Sequence, residues 1–291
     1  MKCILLFLLS LNLAVGQDSI VYEAPVWSPD GNQICYISNQ TGATEIYLQD
    51  IADGTVTKLT KDGNKKWTPA WSPDGTKIAF VSENDGNKEL YCYSIASKST
   101  KRITNTPVDE SMPSWNPNSK SLLYISSTED SPNQIMETTL SGKSQVLLQN
   151  PNTTYIYPSL SSDEKRLLYC YKALSGGKQF HVAVLNLETA EETPLETMGY
   201  VSYNPNWACG DTKIVFVNQE IGEIQSASIV MMASDGSSKE KIITCEGGCF
   251  QPKADADCHR VLYRDGWRDN HKGIFTHDLS TMEKTRLVDH G

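Results

Sequence analysis

The sequence contains nearly the same seven residues twice, as PVWSPDG from Pro25 and as PAWSPDG from Pro69. Four weaker copies follow, so that successive copies are 44 to 47 residues apart. These read PSWNPNS, PSLSSDE, PNWACGD and PKADADC, and begin at Pro113, Pro158, Pro205 and Pro252. We call the six residues the anchor prolines. Six copies at a nearly constant interval indicate a repeat architecture, in which every unit buries its faces against its neighbours.

Each copy is followed by the same succession of short apolar runs. In the second unit these are KIAFVS, then ELYCYS after a polar loop, and finally KRIT. Short runs rich in Val, Ile, Tyr and Phe, bounded by Gly, Pro, Asn and Asp, are typical of strands. With the anchor segment as the first strand, each unit has four strands. Six such units predict an all-β fold, a six-bladed β-propeller of four-stranded blades.

The anchor motif has a structural explanation of its own. Its proline begins the innermost strand, where a missing N–H is tolerated. The tryptophan two residues later is expected to pack between blades. Ser-Pro-Asp-Gly then forms a tight turn, in which glycine adopts a positive φ and aspartate bonds to its own backbone. Asp30 and Asp74 are therefore expected to be turn residues rather than catalytic acids.

The whole repeat resembles that of the TolB-type β-propellers. The resemblance rests on PxWSPDG, a KIAFVS-like strand, a strand containing Ile-Tyr and a final KLT or RIT, and it extends over residues 20–288. It implies a propeller outside the cytoplasm that binds partner proteins. TolB proteins also carry an α/β domain ahead of the propeller, which we do not expect here because the repeats begin soon after the N-terminus.

Two other functions remain open, because similar propellers occur in two kinds of enzyme. Some form oligogalacturonate lyases, and others precede the hydrolase domain of prolyl oligopeptidases. The first alternative is therefore a carbohydrate-active enzyme of the lyase type. The second is a propeller domain separated from its hydrolase partner.

Residues 1–16 have the pattern of a signal peptide. Lys2 is followed by an apolar run, and Ala14 and Gly16 are small residues at the positions that a signal peptidase reads. The run is too short to span a bilayer, so we expect no membrane insertion and a mature propeller of residues 17–291, periplasmic or secreted. The net charge of −9 argues against nucleic acid as a partner, because its phosphates are neutralised by lysine and arginine.

The cysteines divide into two groups by their place in the repeat. Export would allow disulfides to persist. Cys245 and Cys249 share the loop TCEGGCF, and a bridge across it is the first candidate. Cys209 and Cys258, in the anchor turns of the fifth and sixth units, are the second. The others, apart from Cys3, lie in predicted strands and are expected to act as small apolar residues: Cys35, Cys92 and Cys170.

The sequence points to no catalytic residue, no cofactor and no metal site. It contains no GxSxG, HExxH, CxxC or HxH pattern. The resemblance to lyases implies histidines from several blades, whereas only His181 of the five lies outside the last 33 residues. The nearest approach to a metal cluster is DADCH at 255–259, which we interpret as the turn of the sixth unit. His277 is expected to be a partly exposed strand residue.

The segments just before the anchor prolines should converge on one face of the propeller. Aromatic residues recur there, and they bury area while losing little side-chain entropy. We therefore expect a non-enzymatic propeller that binds a protein, peptide or glycan on this face. The candidate residues are Lys66, Trp67, Asp109, Glu110, Tyr155, Tyr157, Tyr200, Tyr203 and Phe250. The alternative is that these side chains pack between blades. We favour packing for Tyr22 and recognition for Trp67, Tyr155 and Tyr203.

Overall fold

A computed structural model describes residues 20–84, 86–128, 130–175, 179–195, 200–221, 227–245, 248–266 and 273–288. In these ranges the chain forms strands β1 to β24 and no helix. No helix in the described ranges has the length and apolar character needed to cross a membrane. The signal peptide expected at 1–16 lies outside the described residues and stays a prediction.

The strands form six antiparallel sheets of four consecutive strands each. Blades one and two contain β1 (Tyr22–Trp27), β2 (Gln33–Thr41), β3 (Ala43–Asp50), β4 (Val56–Lys58), β5 (Lys66–Trp71), β6 (Lys77–Glu83), β7 (Lys88–Ser94) and β8 (Ser99–Arg102). Blades three and four contain β9 (Asp109–Trp115), β10 (Ser121–Ser127), β11 (Gln134–Thr139), β12 (Ser144–Leu148), β13 (Thr153–Leu160), β14 (Arg166–Ala173), β15 (His181–Asn186) and β16 (Glu192–Leu195). Blades five and six contain β17 (Tyr200–Ala208), β18 (Lys213–Glu220), β19 (Ala227–Ala233), β20 (Lys239–Cys245), β21 (Cys249–Ala254), β22 (Arg260–Asp265), β23 (Gly273–Asp278) and β24 (Lys284–Val288).

The six sheets are arranged in a ring, which confirms the predicted propeller. The first strand of each blade contacts the first strand of the next, and β21 contacts β1. The core is divided into six apolar clusters, one for each pair of neighbouring blades. Between blades two and three, for example, Val81 and Leu90 pack with Leu122 and Tyr124. Because burial of apolar surface is the main favourable contribution to folding, each blade depends on both of its neighbours.

The anchor turns have the predicted geometry. In blade one Ser28 Oγ donates to Asp30 Oδ1 at 2.5 Å, and the backbone N of Asn32 donates to the same carboxylate oxygen at 3.1 Å. Asp74 accepts equivalent bonds, so both aspartates are turn residues. The residue six after each anchor proline has a φ of 57° to 70° in every blade: Gly31, Gly75, Ser119, Glu164, Asp211 and Cys258. The left-handed conformation thus persists in four blades that lack the glycine.

The anchor tryptophans join neighbouring blades, as predicted. Trp115 Nε1 donates to the carbonyl oxygen of Ala70 in blade two at 2.9 Å, and Trp207 Nε1 donates to that of Ser159 in blade four at 3.1 Å. The Arg166 guanidinium lies 4.8 Å from the centre of the Trp207 ring. One indole therefore contributes apolar area, a hydrogen bond and a cation–π contact to a blade interface.

In the part of the chain that the structure describes, the first and last blades close the ring without sharing a strand. Blade six consists of β21 to β24 and blade one of β1 to β4. Side chains make the closure instead: Arg260 lies 4.7 Å from the centre of the Trp27 ring, and Gln49 Nε2 donates to the carbonyl oxygen of Leu287 at 2.9 Å. The apolar cluster at this interface contains Tyr22, Trp27, Ile34, Tyr36, Tyr47, Leu262, Ile274 and Val288.

Both candidate disulfides are present. Cys209–Cys258 joins the anchor turns of blades five and six, with Cα atoms 5.0 Å apart. Cys245–Cys249 spans the connection from β20 to β21, with Cα atoms 5.7 Å apart. Cys35, Cys92 and Cys170 are buried thiols in strands. Burial raises the pKa of the Cys92 thiol to about 11, so that it stays protonated at neutral pH.

The two disulfides should differ in their effect on stability. Their sequence separations are 49 and 4 residues, and the chain entropy that a crosslink removes from the unfolded state grows with the closed loop. The variant Cys245→Ala/Cys249→Ala keeps only the disulfide that closes the long loop, and Cys209→Ala/Cys258→Ala keeps only the one that closes the short loop. Reductant should therefore lower the free energy of unfolding of the first variant by about 2 kcal/mol more than that of the second. Urea unfolding of both variants with and without reductant measures this difference. Equal losses would contradict the prediction.

Candidate functional site

The residue before each anchor proline has an uncommon backbone conformation. Its φ lies between 43° and 56° in all six blades, at Ala24, Thr68, Met112, Tyr157, Asn204 and Gln251. We call these six residues the channel ring, because the first strands surround the centre of the propeller. The pairing of first and second strands shifts register at the same place in each blade. Such bulges redirect side chains and are frequent beside functional sites.

Polar side chains in the channel ring and next to it link the first strands of blades five, six and one. Gln251 Oε1 accepts a hydrogen bond from the backbone N of Ala24 at 2.8 Å. Asn204 Oδ1 accepts one from the backbone N of Gln251 at 3.4 Å. Asn206 Nδ2 donates to the carbonyl oxygen of Pro252 at 3.0 Å. Hydrogen-bonding groups therefore line this side of the ring.

The pleat of the first strands divides the predicted site residues into two sets. The third residue before every anchor proline is buried: Tyr22, Lys66, Glu110, Tyr155, Ser202 and Cys249. The second residue before it is half-buried in every blade, and this set includes Trp67, Tyr203 and Phe250. Of the remaining candidates, Asp109 is exposed, and Tyr157 and Tyr200 are half-buried. Successive side chains of a strand point to opposite faces, so counting alternate positions back from each anchor proline would have separated the two sets in the sequence.

The buried candidates make contacts inside the protein. Tyr155 packs edge-on against Tyr169, with ring centres 5.6 Å apart, in the way that Tyr22 packs against Tyr36 at 5.9 Å. Lys66 Nζ donates to Asp62 and, at 2.8 Å, to the carbonyl oxygen of Asn64. The contacts of Tyr155 favour a role in packing between blades rather than in recognition. Tyr22 packs inside the protein, as expected.

Three half-buried aromatic side chains come from consecutive blades. Tyr157 belongs to blade four, Tyr203 to blade five and Phe250 to blade six; we call them the aromatic patch. The rings of Tyr203 and Phe250 have centres 6.5 Å apart, and the guanidinium of Arg264 lies 5.3 Å from the centre of Phe250. Burial raises the pKa of Tyr157 to about 12 and raises that of Tyr203, so both phenols are neutral donors at pH 7. Trp67 lies in blade two, where Lys88 Nζ is 5.4 Å from its ring centre.

Sequence reasoning missed Lys253. This residue follows Pro252 in the first strand of blade six, and it is half-buried. Burial lowers the pKa of its ammonium group to about 8. The only available signal was that the other five blades have no charged residue directly after the anchor proline. Lys253 and Arg264 place positive charge in the blade that contributes Phe250.

Two buried glutamates lie between blades two and three. Glu110, in β9, is fully buried, and Glu89, in β7, accepts a hydrogen bond from Arg102 Nη2 at 3.0 Å. Burial raises the pKa of Glu110 to about 7, and the charge of Glu89 adds a smaller increase. Hydrogen bonds from Thr104 and Thr106 to Glu110 oppose this rise.

The histidines and acids of blade six have structural roles in the described ranges. Asp255 Oδ1 accepts from the backbone N of His259 at 2.8 Å and from that of Arg260 at 3.0 Å, as expected of a turn. His277 is buried rather than partly exposed, because its strand β23 runs between β22 and β24 inside the sheet. His181 is half-buried beside Tyr171, with ring centres 5.8 Å apart. His271 and His290 lie outside the described residues. Among those that are described, no three His, Cys, Asp or Glu side chains are grouped to hold a metal ion.

Comparison with known proteins agrees with this architecture. A family model described as the TolB beta propeller domain matches residues 12–255. The chain belongs to the TolB β-propeller family. No curated protein sequence matches it significantly.

Several solved structures share the fold of this family member. TolB from Acinetobacter baumannii is 25% identical with a TM-score of 0.65; the match covers 76% of this chain and 53% of that one, so the chain spans about half of its length. An oligogalacturonate lyase in complex with manganese is 15% identical with a TM-score of 0.66, covering 94% and 78% of the two chains. The propeller domain of the Trilobed protease from Pyrococcus furiosus, described as having an open velcro topology, is 14% identical with a TM-score of 0.65, covering 94% and 97%.

The raised pKa of Glu110 makes stability depend on pH. In the unfolded chain this carboxyl titrates near 4.5, whereas in the folded chain it holds its proton up to about 7. The folded state therefore binds more protons between these values, and the free energy of unfolding should fall as pH rises from about 4.5 to about 7, by at most about 3 kcal/mol. Glu110→Gln should remove this contribution.

The measurement is urea unfolding of the wild type and Glu110→Gln at about pH 5 and about pH 8, in metal-free buffer. Other groups titrate in both proteins, so the difference between their two pH-dependent changes in the free energy of unfolding gives the contribution of Glu110. The same pH dependence in both proteins would show that Glu110 is ionised throughout this range.

Proposed function

We propose that this protein is an exported, non-enzymatic member of the TolB family that binds a peptide segment of a partner protein at the aromatic patch. The observation that carries the proposal is that the rings of Tyr203 and Phe250, from blades five and six, have centres 6.5 Å apart, with Tyr157 of blade four near Tyr203. Loops and strand ends on a rigid scaffold are common recognition surfaces. Half-buried aromatic rings offer contact area at low cost in side-chain entropy.

The surroundings of the patch suit a peptide. Gln251 is half-buried and already hydrogen-bonds to the backbone of Ala24, and its side-chain amide has further donors for a peptide. The phenols of Tyr157 and Tyr203 are neutral donors. Arg264 already pairs with Glu23 at 3.5 Å, so Lys253 supplies the positive charge that favours a segment combining apolar side chains with a carboxylate.

Export is the second part of the proposal. The predicted signal peptide at 1–16 supports it, and so do the two disulfides, because such bridges persist in the periplasm and outside the cell. The family resemblance supports the same compartment. A protein in this setting meets partner proteins of the cell envelope or the surroundings.

A peptide display library panned against the immobilised mature protein tests the binding site. Selected peptides should bind the wild type and lose at least about tenfold in affinity, roughly 1.4 kcal/mol, for Tyr203→Ala/Phe250→Ala. Isothermal titration calorimetry gives both dissociation constants. Thermal unfolding checks that the variant is folded.

Leu187→Ala provides a matched control. Leu187 is 37% exposed, and its backbone N bonds to Lys165 O in the anchor turn, at the opposite end of blade four from its channel-ring residue. Its affinity for the selected peptides should equal that of the wild type. Peptides that bind the Tyr203→Ala/Phe250→Ala variant as tightly as the wild type would refute the assignment of the patch. Binding and cleavage of oligogalacturonate with manganese would favour the lyase-type alternative instead.

A further inference from the structure

The buried glutamates between blades two and three share a partner. The backbone N of Thr106 donates to Glu89 Oε1 at 2.7 Å, and its hydroxyl donates to Glu110 Oε1 at 3.2 Å. Glu89 is 1% exposed and Glu110 is 0% exposed. Two carboxylates therefore lie on either side of one threonine, away from water.

The oxygens of these two carboxylates accept different numbers of hydrogen bonds. Glu89 Oε1 accepts from Arg102 Nη2 at 3.0 Å, from Asn87 Nδ2 at 3.1 Å and from the backbone of Thr106. Glu89 Oε2 is buried without a hydrogen-bond partner among the described residues. The side-chain bonds described for Glu110 come from hydroxyls, those of Thr104 and Thr106. A buried anionic oxygen without a donor is costly unless a cation or a proton compensates it.

The preceding interface has a different set of charges at the same positions of the repeat. In blade one Glu45 takes the place of Glu89, and Lys58 takes that of Arg102, with Lys58 Nζ 3.7 Å from Glu45 Oε1. Lys66, however, stands where Glu110 stands, three residues before the anchor proline. Its side chain is 0% exposed and pairs with Asp62, so the first interface contains a second, covalently attached cation. Glu45 Oε2 accepts a hydrogen bond from the Thr60 hydroxyl and is therefore not left without a donor. At the second interface a carboxylate replaces that ammonium.

We propose that a divalent cation, Ca²⁺ by its ligand chemistry, binds between Glu89 and Glu110 and takes the place that the ammonium of Lys66 has at the preceding interface. The ligands would be Glu89 Oε2, the carboxylate of Glu110 and the hydroxyl of Thr106. Calcium accepts six to eight oxygens in flexible geometry, whereas magnesium demands a near-ideal octahedron. Water and backbone carbonyls complete the set.

Two backbone carbonyls lie beside these side chains, and that of Val108 is 3.2 Å from the Thr106 hydroxyl. The carbonyl oxygens of Thr106 and Val108 each lie 2.9 Å from Asn87 Nδ2, which also contacts Glu89 Oε1. Three oxygens thus converge on an amide nitrogen that has only two hydrogens. Rotation of this amide would direct its oxygen to the cation instead.

The ion would join blades two and three at the end of the propeller that carries the channel ring. The neighbouring Lys88 lies 3.5 Å from Asp109 Oδ2 and 5.4 Å from the centre of the Trp67 ring. Sites of modest affinity suit compartments outside the cell, where calcium is at millimolar levels. This inference uses none of the residues of the aromatic patch, so either proposal can fail without the other.

Thermal unfolding and calorimetry of the mature protein test the site at about pH 8, where Glu110 is ionised. Calcium chloride at about 100 times the dissociation constant should raise Tm by about 5 to 10 °C relative to chelator. Titration of Ca²⁺ should give one ion per chain. A wild type without a titration signal and without a Tm shift would overturn the proposal.

Two substitutions locate the ion. Glu110→Gln should remove the calcium-dependent Tm shift, and Glu110→Lys should remove it while supplying the ammonium that Lys66 supplies at the first interface. Glu45→Gln is the matched control, and its calcium-dependent shift should equal that of the wild type. A shift that persists in both Glu110 variants, or that disappears equally in Glu45→Gln, would refute this location. If Glu110→Gln does not fold, Glu110→Lys and Glu89→Gln decide the same question.

Discussion

The structure depends on face-to-face packing between blades, because no strand of the described ranges is shared across the point where the ring closes. The contact between blades six and one repeats the contact between other pairs: Arg260 stacks on Trp27 as Arg166 stacks on Trp207. An apolar cluster from both blades accompanies it. Each blade has two faces to bury and none is stable alone, so closure of the ring is a condition for all six interfaces.

Closure also places the candidate site. Six first strands meet around one centre, and each bulges directly before its anchor proline. Equivalent positions of the repeat therefore become neighbours, although they are about 45 residues apart in the chain. Tyr203 and Phe250 are brought together in this way, and Tyr157, one position later in its own unit, lies near Tyr203. Their chemistry is free to vary because the strand geometry depends on the proline and on the turn that follows, not on them.

The blade interfaces show how far a repeat can diverge in charge without a change of fold. Lys66 and Glu110 occupy the same position of successive units, and both are buried. Each needs a different compensation: the lysine has Asp62 and a backbone carbonyl, while the glutamate faces a second carboxylate. The first arrangement is complete within the chain. The second requires a proton or a cation, and it therefore connects stability with the composition of the solution.

The period of the anchor prolines, the three apolar runs that follow each of them and the Ser-Pro-Asp-Gly turns were sufficient to predict the all-β propeller, its six blades and the roles of Asp30 and Asp74. These features are local, and each is repeated, so the sequence alone determined them. The alternation of the residues before the prolines could be counted in the sequence, but which of the two sets is covered was decided only by the tertiary structure. Tyr155 and Glu110 are buried while Tyr203 and Phe250 are half-buried, because the pleat of each first strand alternates its side chains and the neighbouring blade covers one set. The pairing of Glu89 with Glu110 was likewise beyond the sequence, since it exists only where two blades pack against each other.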